Sequence, residues 1–308
     1  VYHPDIEGGI GRRLDDLPKP KGRTAGTVGL LIMRSYVVSG DSRHYDAVIR
    51  ALEARKLRVI PVFAAGLDCR EAVDSFFLEK GKRREKGKPI IDAMVSLTGF
   101  SLVGGPAYND AAAAEEMLAH LDVPYIAAHA IEFQTLEQWR ESSAGLQPVE
   151  ATIMVAIPEL EGATSPTVFG GRAATANDGQ TRDMRPETDQ VESLADRVAK
   201  RIALRRSEVA ERKIAVVLFN FPPNAGATGT AAYLSVFASL HNTLKAMAAE
   251  GYDLGDTPLP ETAEDLRIHI LEGNSAQYGT DANVEAKVSA EDHVRREPHL
   301  AEIEAQWG

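Results

Sequence analysis

The sequence lacks the features that define several large classes of protein. Its 308 residues include one cysteine, Cys69, so no disulfide can form within the chain, and we expect a reducing, cytoplasmic setting. No apolar run is long enough to cross a membrane, and the first ten residues do not form a signal peptide. The net charge of −11 argues against nucleic acid as a partner, because phosphate binding needs clustered Lys and Arg.

The motifs of several enzyme classes are also missing. The chain has no Walker A motif, no G-x-G-x-x-G fingerprint, no H-E-x-x-H or Cys–His cluster and no G-x-S-x-G elbow. Cys69 has no base near it in sequence, which argues against a nucleophile. These motifs therefore supply no catalytic group, and the histidines and the cysteine supply no metal-ligand set.

Apolar runs do alternate with amphipathic segments between residues 26 and 172. Such alternation predicts a flavodoxin-like α/β domain, in which helices flank a parallel sheet. Asp41 or Ser42 is expected to cap the first long helix, and a later helix is expected over Asn109–Leu121. The predicted strands are Thr27–Met33, Leu57–Ala64, Ile90–Gly99, Val123–Ala128 and Val149–Leu160.

The rest of the chain is divided by composition. Residues 1–25 are expected to be a lead-in segment, and residues 173–211 a loop with a connecting helix. Residues 212–308 are predicted to be a second, incomplete α/β unit that begins with a strand in "ERKIAVVLF". A start without Met and an end directly after an amphipathic helix suggest a piece of a longer protein.

Binding sites in open α/β sheets lie beyond the carboxyl ends of the strands. Five segments are therefore expected to carry the site. They are "RSYVVSGD", "AAGLD", "TGFSLVGGP", "AAHAIEF" and "IPELEGA".

The segment "FNFPPNAGATGTAA" joins the predicted strand of the second unit to a helix. Backbone N–H groups near Thr228 and Thr230 could hold an anion such as a carboxylate, with Asn220 and Asn224 as further donors. The alternative is a turn in which Thr228 only caps the helix.

Three other groups of residues are candidates from their positions in loops. Thr98, Gly99, Gly104 and Gly105 allow close approach to a bulky ligand, or they belong to a long loop before the helix that Asn109 starts. Glu159 and Glu161, if they alternate on a strand, could share one Mg²⁺; otherwise they form an acidic turn. His44 could face a cleft, or it could have a surface or capping role.

Four long stretches in order resemble one family. They are "SLTGFSLVGGPAYND", "LDVPYIAAHAIEFQTLEQW", "VAIPELEGATSPTVFGGR" and "FNFPPNAGATGTAAYLSVFASLHNTLKAM". Together they resemble the large (H) subunit of magnesium chelatase, along nearly the whole chain. The large subunit of cobaltochelatase is similar in plan but more distant.

This resemblance implies a reaction in chlorophyll or bacteriochlorophyll synthesis. Mg²⁺ and protoporphyrin IX would be the substrates, and two smaller AAA+-type subunits would hydrolyse ATP, in agreement with the missing Walker A motif. The methyltransferase of the next step is a further implied partner. The family's H-F-G-T-H-G-S-L-E-F type motif is absent here, so the catalytic residues stay unassigned and this piece alone is expected to be inactive.

On this interpretation the candidates named above become possible walls of a porphyrin cavity. They are His44, Thr98, Gly99, Gly104, Gly105, Glu159, Asn220, Asn224, Thr228 and Thr230. Three interpretations stay open: a chelatase subunit, a module that only docks a ligand or partner subunits, and a scaffold around a site built elsewhere.

Overall fold

A computed structural model of the chain describes residues 1–20, 22–79, 87–105, 108–174, 183–220, 228 and 234–307. These residues form two units, Val1–Arg206 and Ser207–Gly308. The strands are β1 Gly26–Leu31, β2 Leu57–Val62, β3 Ala93–Ser96, β4 Tyr125–Thr135, β5 Thr164–Arg172 and β6 Met184–Pro186. The first unit's helices are α1 Arg34–Ser39, α2 Arg43–Ala54, α3 Arg70–Phe76, α4 Ala111–Leu121, α5 Leu136–Glu141, α6 Pro148–Glu150, α7 Ile157–Leu160 and α8 Thr188–Arg206.

The first unit is built on one six-stranded sheet with the order β2-β1-β3-β4-β5-β6. The first five strands are parallel, and β6 runs antiparallel to β5. One face packs on α2 and α8 through a cluster that includes Tyr45, Ile49 and Val198, and the other packs on α3 and α4 through Phe77 and Leu121. The predicted α/β class and the parallel sheet flanked by helices are confirmed, and the order of the first five strands is that of a flavodoxin-like sheet.

The sequence of β1 is a continuous apolar run because this strand is buried. All its residues except Thr27 are buried, because helices cover both faces of the sheet. Gly29 is needed for this packing: a Cβ at this position would lie 2.7 Å from the Phe77 ring. The strand therefore sits directly against the aromatic side chain that follows α3.

The segment expected to be a lead-in packs on the first unit. Val1, Tyr2, His3 and Leu17 are buried, and the Tyr2 N–H donates to the Pro61 carbonyl at 2.9 Å. Residues 1–20 therefore form part of the first unit. The helix expected to connect the two predicted domains also belongs to this unit, as α8, because its apolar stripe covers the sheet.

The predicted strand over Val149–Leu160 is wrong. A continuous helical segment runs through α6, a π-helical turn at Ala151–Ala156 and α7. Its buried residues are Glu150, Met154 and Pro158, which are four apart and so lie on one helical face. The apolar content of this segment suggested a strand, whereas its burial follows the helical period.

Two helix caps also differ from expectation. The N-cap residue of α2, Ser42, makes no capping hydrogen bond with its side chain in the described structure, and Asp41 instead accepts a hydrogen bond from the Met184 N–H at 3.1 Å, which ties β6 to the start of this helix. Asp110, rather than Asn109, caps α4 by accepting from the Ala113 N–H at 3.1 Å.

The described part of the second unit consists mainly of helices. They are α9 Val236–Ala249, α10 Ala263–Leu271, α11 Ser275–Tyr278, α12 Ala290–Arg296 and α13 Leu300–Trp307. The strand predicted in "ERKIAVVLF" is not formed there. Residues 213–219 contain no strand, and Ile214, Val216 and Val217 are exposed.

Candidate functional site at the carboxyl ends of the strands

The strand order creates a crevice between the loops that follow β1 and β3. From β1 the chain passes through α2 on one face to β2, and then through α3 on the opposite face to β3 on the other side of β1. Loops diverge at such a reversal of strand order, and ligands bind there in related architectures. The geometry therefore singles out this position before any side chain is considered.

A cleft of about 240 Å³ lies at this position. Its walls come from the loops after β1, β2 and β3, which contain three of the five segments expected to carry the site. We call it the switch-point cleft, and it is lined by Ile32, Met33, Arg34, Ser35, Ala64, Ala65, Gly66, Leu67, Cys69, Thr98 and Phe100.

The switch-point cleft combines an apolar floor with a few polar groups. Ile32, Cys69 and Phe100 are buried, whereas Leu67 is half-exposed at the rim. Thr98 is the predicted site residue that lines the cleft, and its hydroxyl lies 2.9 Å from the Ser96 hydroxyl. Arg34 brings a positive charge. A surface of this kind suits an apolar ligand that carries an anionic group.

Cys69 lies in the floor but is not poised to react. Burial raises the pKa of its thiol to about 12, and the negative charges of Asp68 and Glu161 add to this effect. A thiolate is the reactive form of cysteine, so this side chain stays a neutral thiol. Its part in the cleft is to fill space.

The predicted glycines shape the loop after β3. A Cβ on Gly105 would lie 2.7 Å from Leu67 Cδ1, and one on Gly104 would lie 2.4 Å from the Tyr108 carbonyl oxygen. Gly99 has a positive φ of +74°, but a Cβ at this position would make only ordinary van der Waals contacts. The close approaches made by Gly104 and Gly105 are thus to the protein itself, and the approach of a ligand to these positions stays a prediction.

Glu159 and Glu161 do not form the shared metal site that alternation on a strand would allow. Glu159 lies exposed in α7, and Glu161 is buried just after this helix. The Glu161 carboxylate accepts hydrogen bonds from the Ser101 hydroxyl and, at 3.0 Å, from the Leu102 N–H. It therefore holds the loop after β3 in place, behind the cleft wall that Phe100 provides.

His44 lies in the core rather than in the cleft. Its ring is surrounded by Tyr36, Tyr45 and Phe169, with centroid distances of 5.1, 3.9 and 5.7 Å. Neither ring nitrogen has a hydrogen-bond partner among the described residues, and burial lowers the pKa of His44 to about 3. The imidazole is therefore neutral at physiological pH.

His129 is a second buried histidine, which the sequence patterns did not single out. It lies in β4, where neither ring nitrogen has a hydrogen-bond partner within the part of the chain that the structure describes, and a Cβ at Gly99 would be 3.6 Å from the Cβ of His129. Burial lowers the pKa of His129 to about 4. Its place in "AAHAIEF", one of the expected segments, was the signal that could have identified it.

Three polar side chains also connect α1 to β4 and β5. The Tyr36 hydroxyl donates to the Glu132 carboxylate, and an Arg172 guanidinium nitrogen lies 3.4 Å from the same carboxylate. Burial, followed by the hydrogen bond to Glu132 and the negative charge of this carboxylate, raises the pKa of Tyr36. These contacts fix the helix that begins with Arg34.

The loop from Phe219 to Ala232 is described at only three residues. Asn220 donates through Nδ2 to Asp281 at 2.9 Å and forms a β-bridge with Thr228. The Thr228 hydroxyl is buried and has no hydrogen-bond partner among the residues that the structure describes. Asn224 and Thr230 lie outside the described residues, so the anion site at this loop stays a prediction.

A larger hollow of about 580 Å³ lies between α3 and α4. Its lining includes Asp68, Glu71, Asp74 and Glu116. Arg70 also lines the hollow and pairs with Asp68, so the carboxylates outnumber the cations and disfavour an anionic ligand. Among the described residues there is no group of three or more His, Cys, Asp or Glu that could hold a metal ion, and no helix there is long and apolar enough to span a membrane.

Comparison with known proteins places the chain among metal chelatases. A family model described as CobN/Magnesium Chelatase matches residues 1–308. The chain is similar to the magnesium-chelatase H subunit of Cereibacter sphaeroides, with 51% identity over 100% of this chain and 26% of that protein. It is also similar to the chloroplastic magnesium-chelatase ChlH subunit of Oryza sativa subsp. indica, with 39% identity over 97% of this chain and 21% of that protein.

A solved structure has a similar fold. It is the catalytic subunit of cobaltochelatase from Mycobacterium tuberculosis, with a TM-score of 0.60 and 24% identity over 79% of this chain and 20% of that one. At this identity the likeness concerns the fold alone. The chain spans about a quarter of the length of the magnesium-chelatase relative from Cereibacter sphaeroides, 26%.

Proposed function

Because the chain belongs to the CobN/magnesium chelatase family, we propose that it is part of the porphyrin-binding large subunit of magnesium chelatase. The observation that carries this proposal is the 51% identity to a magnesium-chelatase H subunit along the whole chain. The enzyme of which it is a part inserts Mg²⁺ into protoporphyrin IX in chlorophyll or bacteriochlorophyll synthesis. Two AAA+-type subunits supply the ATP hydrolysis, and the methyltransferase of the next step is a further partner.

The residues of this chain suit binding better than proton transfer. Metal insertion needs a base that removes two pyrrole protons. His44 and His129 are buried, and the Glu161 carboxylate is occupied by a loop. We therefore assign no catalytic base to the chain and give it the role of a wall of the tetrapyrrole site. The single buried cysteine supports a cytoplasmic location.

The experiment that tests this function uses the full-length polypeptide that contains the chain. With the two ATPase subunits, Mg²⁺, ATP and deuteroporphyrin IX, we expect the fluorescence of a magnesium porphyrin to appear, and none to appear without ATP. Formation of a cobalt corrinoid from Co²⁺ and a metal-free corrinoid ring, with no magnesium porphyrin, would instead assign the chain to cobaltochelatase. Absence of both products with porphyrin bound would leave a docking module or a scaffold.

A further inference from the structure

Arg34 is a positive charge at the switch-point cleft that has no partner in the described part of the chain. Its side chain makes no ion pair or hydrogen bond with the described part of the chain, and the residue is exposed. Elsewhere in the same unit arginines pair with carboxylates, as Arg206 does with Asp92 at 2.8 Å and Arg55 with Asp196 at 2.7 Å. In a chain of net charge −11, carboxylates are plentiful, yet none in the described residues pairs with Arg34.

The surroundings of Arg34 favour a carboxylate on an apolar body. A guanidinium binds a carboxylate through two parallel hydrogen bonds. The Thr98 hydroxyl, 2.9 Å from Ser96 Oγ, can accept the Ser96 proton and so direct its own proton into the cleft. Phe100 and Leu67 provide apolar surface beside these donors.

The size of the cleft limits which part of a ligand it can hold. Drug-sized ligands occupy pockets of roughly 300–1,000 Å³, whereas this cleft measures about 240 Å³. It can therefore take one edge of a tetrapyrrole but not the whole ring. The acidic hollow between α3 and α4 is larger, but its carboxylates would repel the same group.

We propose that the switch-point cleft holds the carboxylate-bearing edge of the tetrapyrrole, with Arg34 as the counter-charge of one propionate. This inference rests on the proposed function, because that function supplies the tetrapyrrole. Arg34 is thus a residue that orients the substrate, and Thr98 is a second donor to the same carboxylate.

The test compares a porphyrin diacid with its neutral ester. The full-length polypeptide is prepared as wild type, Arg34→Gln, Arg34→Lys and Arg12→Gln, and each is titrated with deuteroporphyrin IX and with its dimethyl ester by fluorescence quenching. Arg12 is the matched control, since it is exposed and its side chain has no partner among the described residues. We expect Arg34→Gln to raise Kd for the diacid about 10-fold, as for the loss of a charged hydrogen bond, and to leave Kd for the ester unchanged.

Each result decides the proposal. Arg34→Lys keeps the charge and should retain part of the affinity for the diacid, and Arg12→Gln should bind both probes as wild type does. Wild-type affinity of Arg34→Gln for the diacid would overturn the role of Arg34 and leave the proposed function standing. An equal loss for diacid and ester would also overturn it, because the effect would not depend on charge. If the wild type binds neither probe, the proposed function fails and this inference fails with it.

Discussion

Glu161 determines the conformation of the loop that forms one wall of the cleft. Its carboxylate is buried, and each oxygen accepts a hydrogen bond from the segment after β3, one from the Ser101 hydroxyl and one from the Leu102 N–H. A buried donor that loses its acceptor costs about 1–3 kcal/mol. Glu161 therefore stabilises the fold by accepting hydrogen bonds from donors some 60 positions away in the sequence.

Replacement of Glu161 by Gln should destabilise the protein. The amide keeps the shape of the side chain but places an NH₂ group opposite a donor, and we expect a loss of about 1–3 kcal/mol in the free energy of unfolding. Urea denaturation measures this loss. Glu159→Gln is the control, since Glu159 is exposed two residues away and should change stability by less than about 0.5 kcal/mol. Equal stability of the two variants would contradict the role given to Glu161.

At the scale of the element, the start of α4 illustrates how a cap positions a helix. Asp110 accepts a hydrogen bond from the Ala113 N–H at 3.1 Å, which satisfies one of the free N–H groups in the first turn. Asn109 is also a good capping residue by type, and the sequence pattern placed the start of the helix there. The Asp110 N–H donates to the Val103 carbonyl at 2.9 Å, which holds Asp110 at the start of the helix.

Asp110→Ala should lower the free energy of unfolding by about 0.5–2 kcal/mol, as is usual for loss of an N-cap. Asn109→Ala should have little effect, because this exposed residue lies one position before the cap. Thermal unfolding of both variants, monitored by circular dichroism, checks the difference. A larger effect at Asn109 than at Asp110 would return the cap to the residue that the sequence pattern favours.

At the scale of the whole molecule, two neutral histidines make the fold sensitive to acid. His44 and His129 have folded pKa values of about 3 and about 4, against the ordinary value of 6.5. At a pH between its folded pKa and 6.5, each histidine is protonated in the unfolded chain but neutral in the folded chain. The free energy of unfolding therefore falls as the pH falls. The loss begins near pH 6.5 and is complete only below the folded pKa values.

The expected loss between pH 7 and pH 5 is about 2 kcal/mol for each histidine. Urea midpoints at pH 7, 6 and 5 measure it in the wild type, in the double variant His44→Phe/His129→Leu and in His299→Gln, a control at an exposed position. The double variant should show a flatter dependence on pH than the wild type, whatever its stability at pH 7. The same steep dependence in both would assign the acid sensitivity to other groups.

Patterns of neighbouring residues predicted much of the fold. The α/β class, the parallel strands and the segments at their carboxyl ends followed from apolar runs and helical stripes. The segment around Met154 was wrongly predicted to be a strand, because the prediction used its apolar content and not the spacing of its apolar residues. The strand predicted in "ERKIAVVLF" also relied on composition, whereas a strand forms only where a neighbouring strand accepts its hydrogen bonds. Of the candidate site residues, Thr98 lines the cleft, while His44 lies in the core.

The sequence by itself determined the alternation of strands and helices, since both depend on residues a few positions apart. Only the tertiary structure decided which side chains are buried and which groups meet. It joined Glu161 to Ser101, buried His129 and placed Arg34 and Thr98 in the lining of one cleft, with no carboxylate partner for Arg34 among the described residues. These contacts join distant parts of the chain, and the order of the strands brings them together.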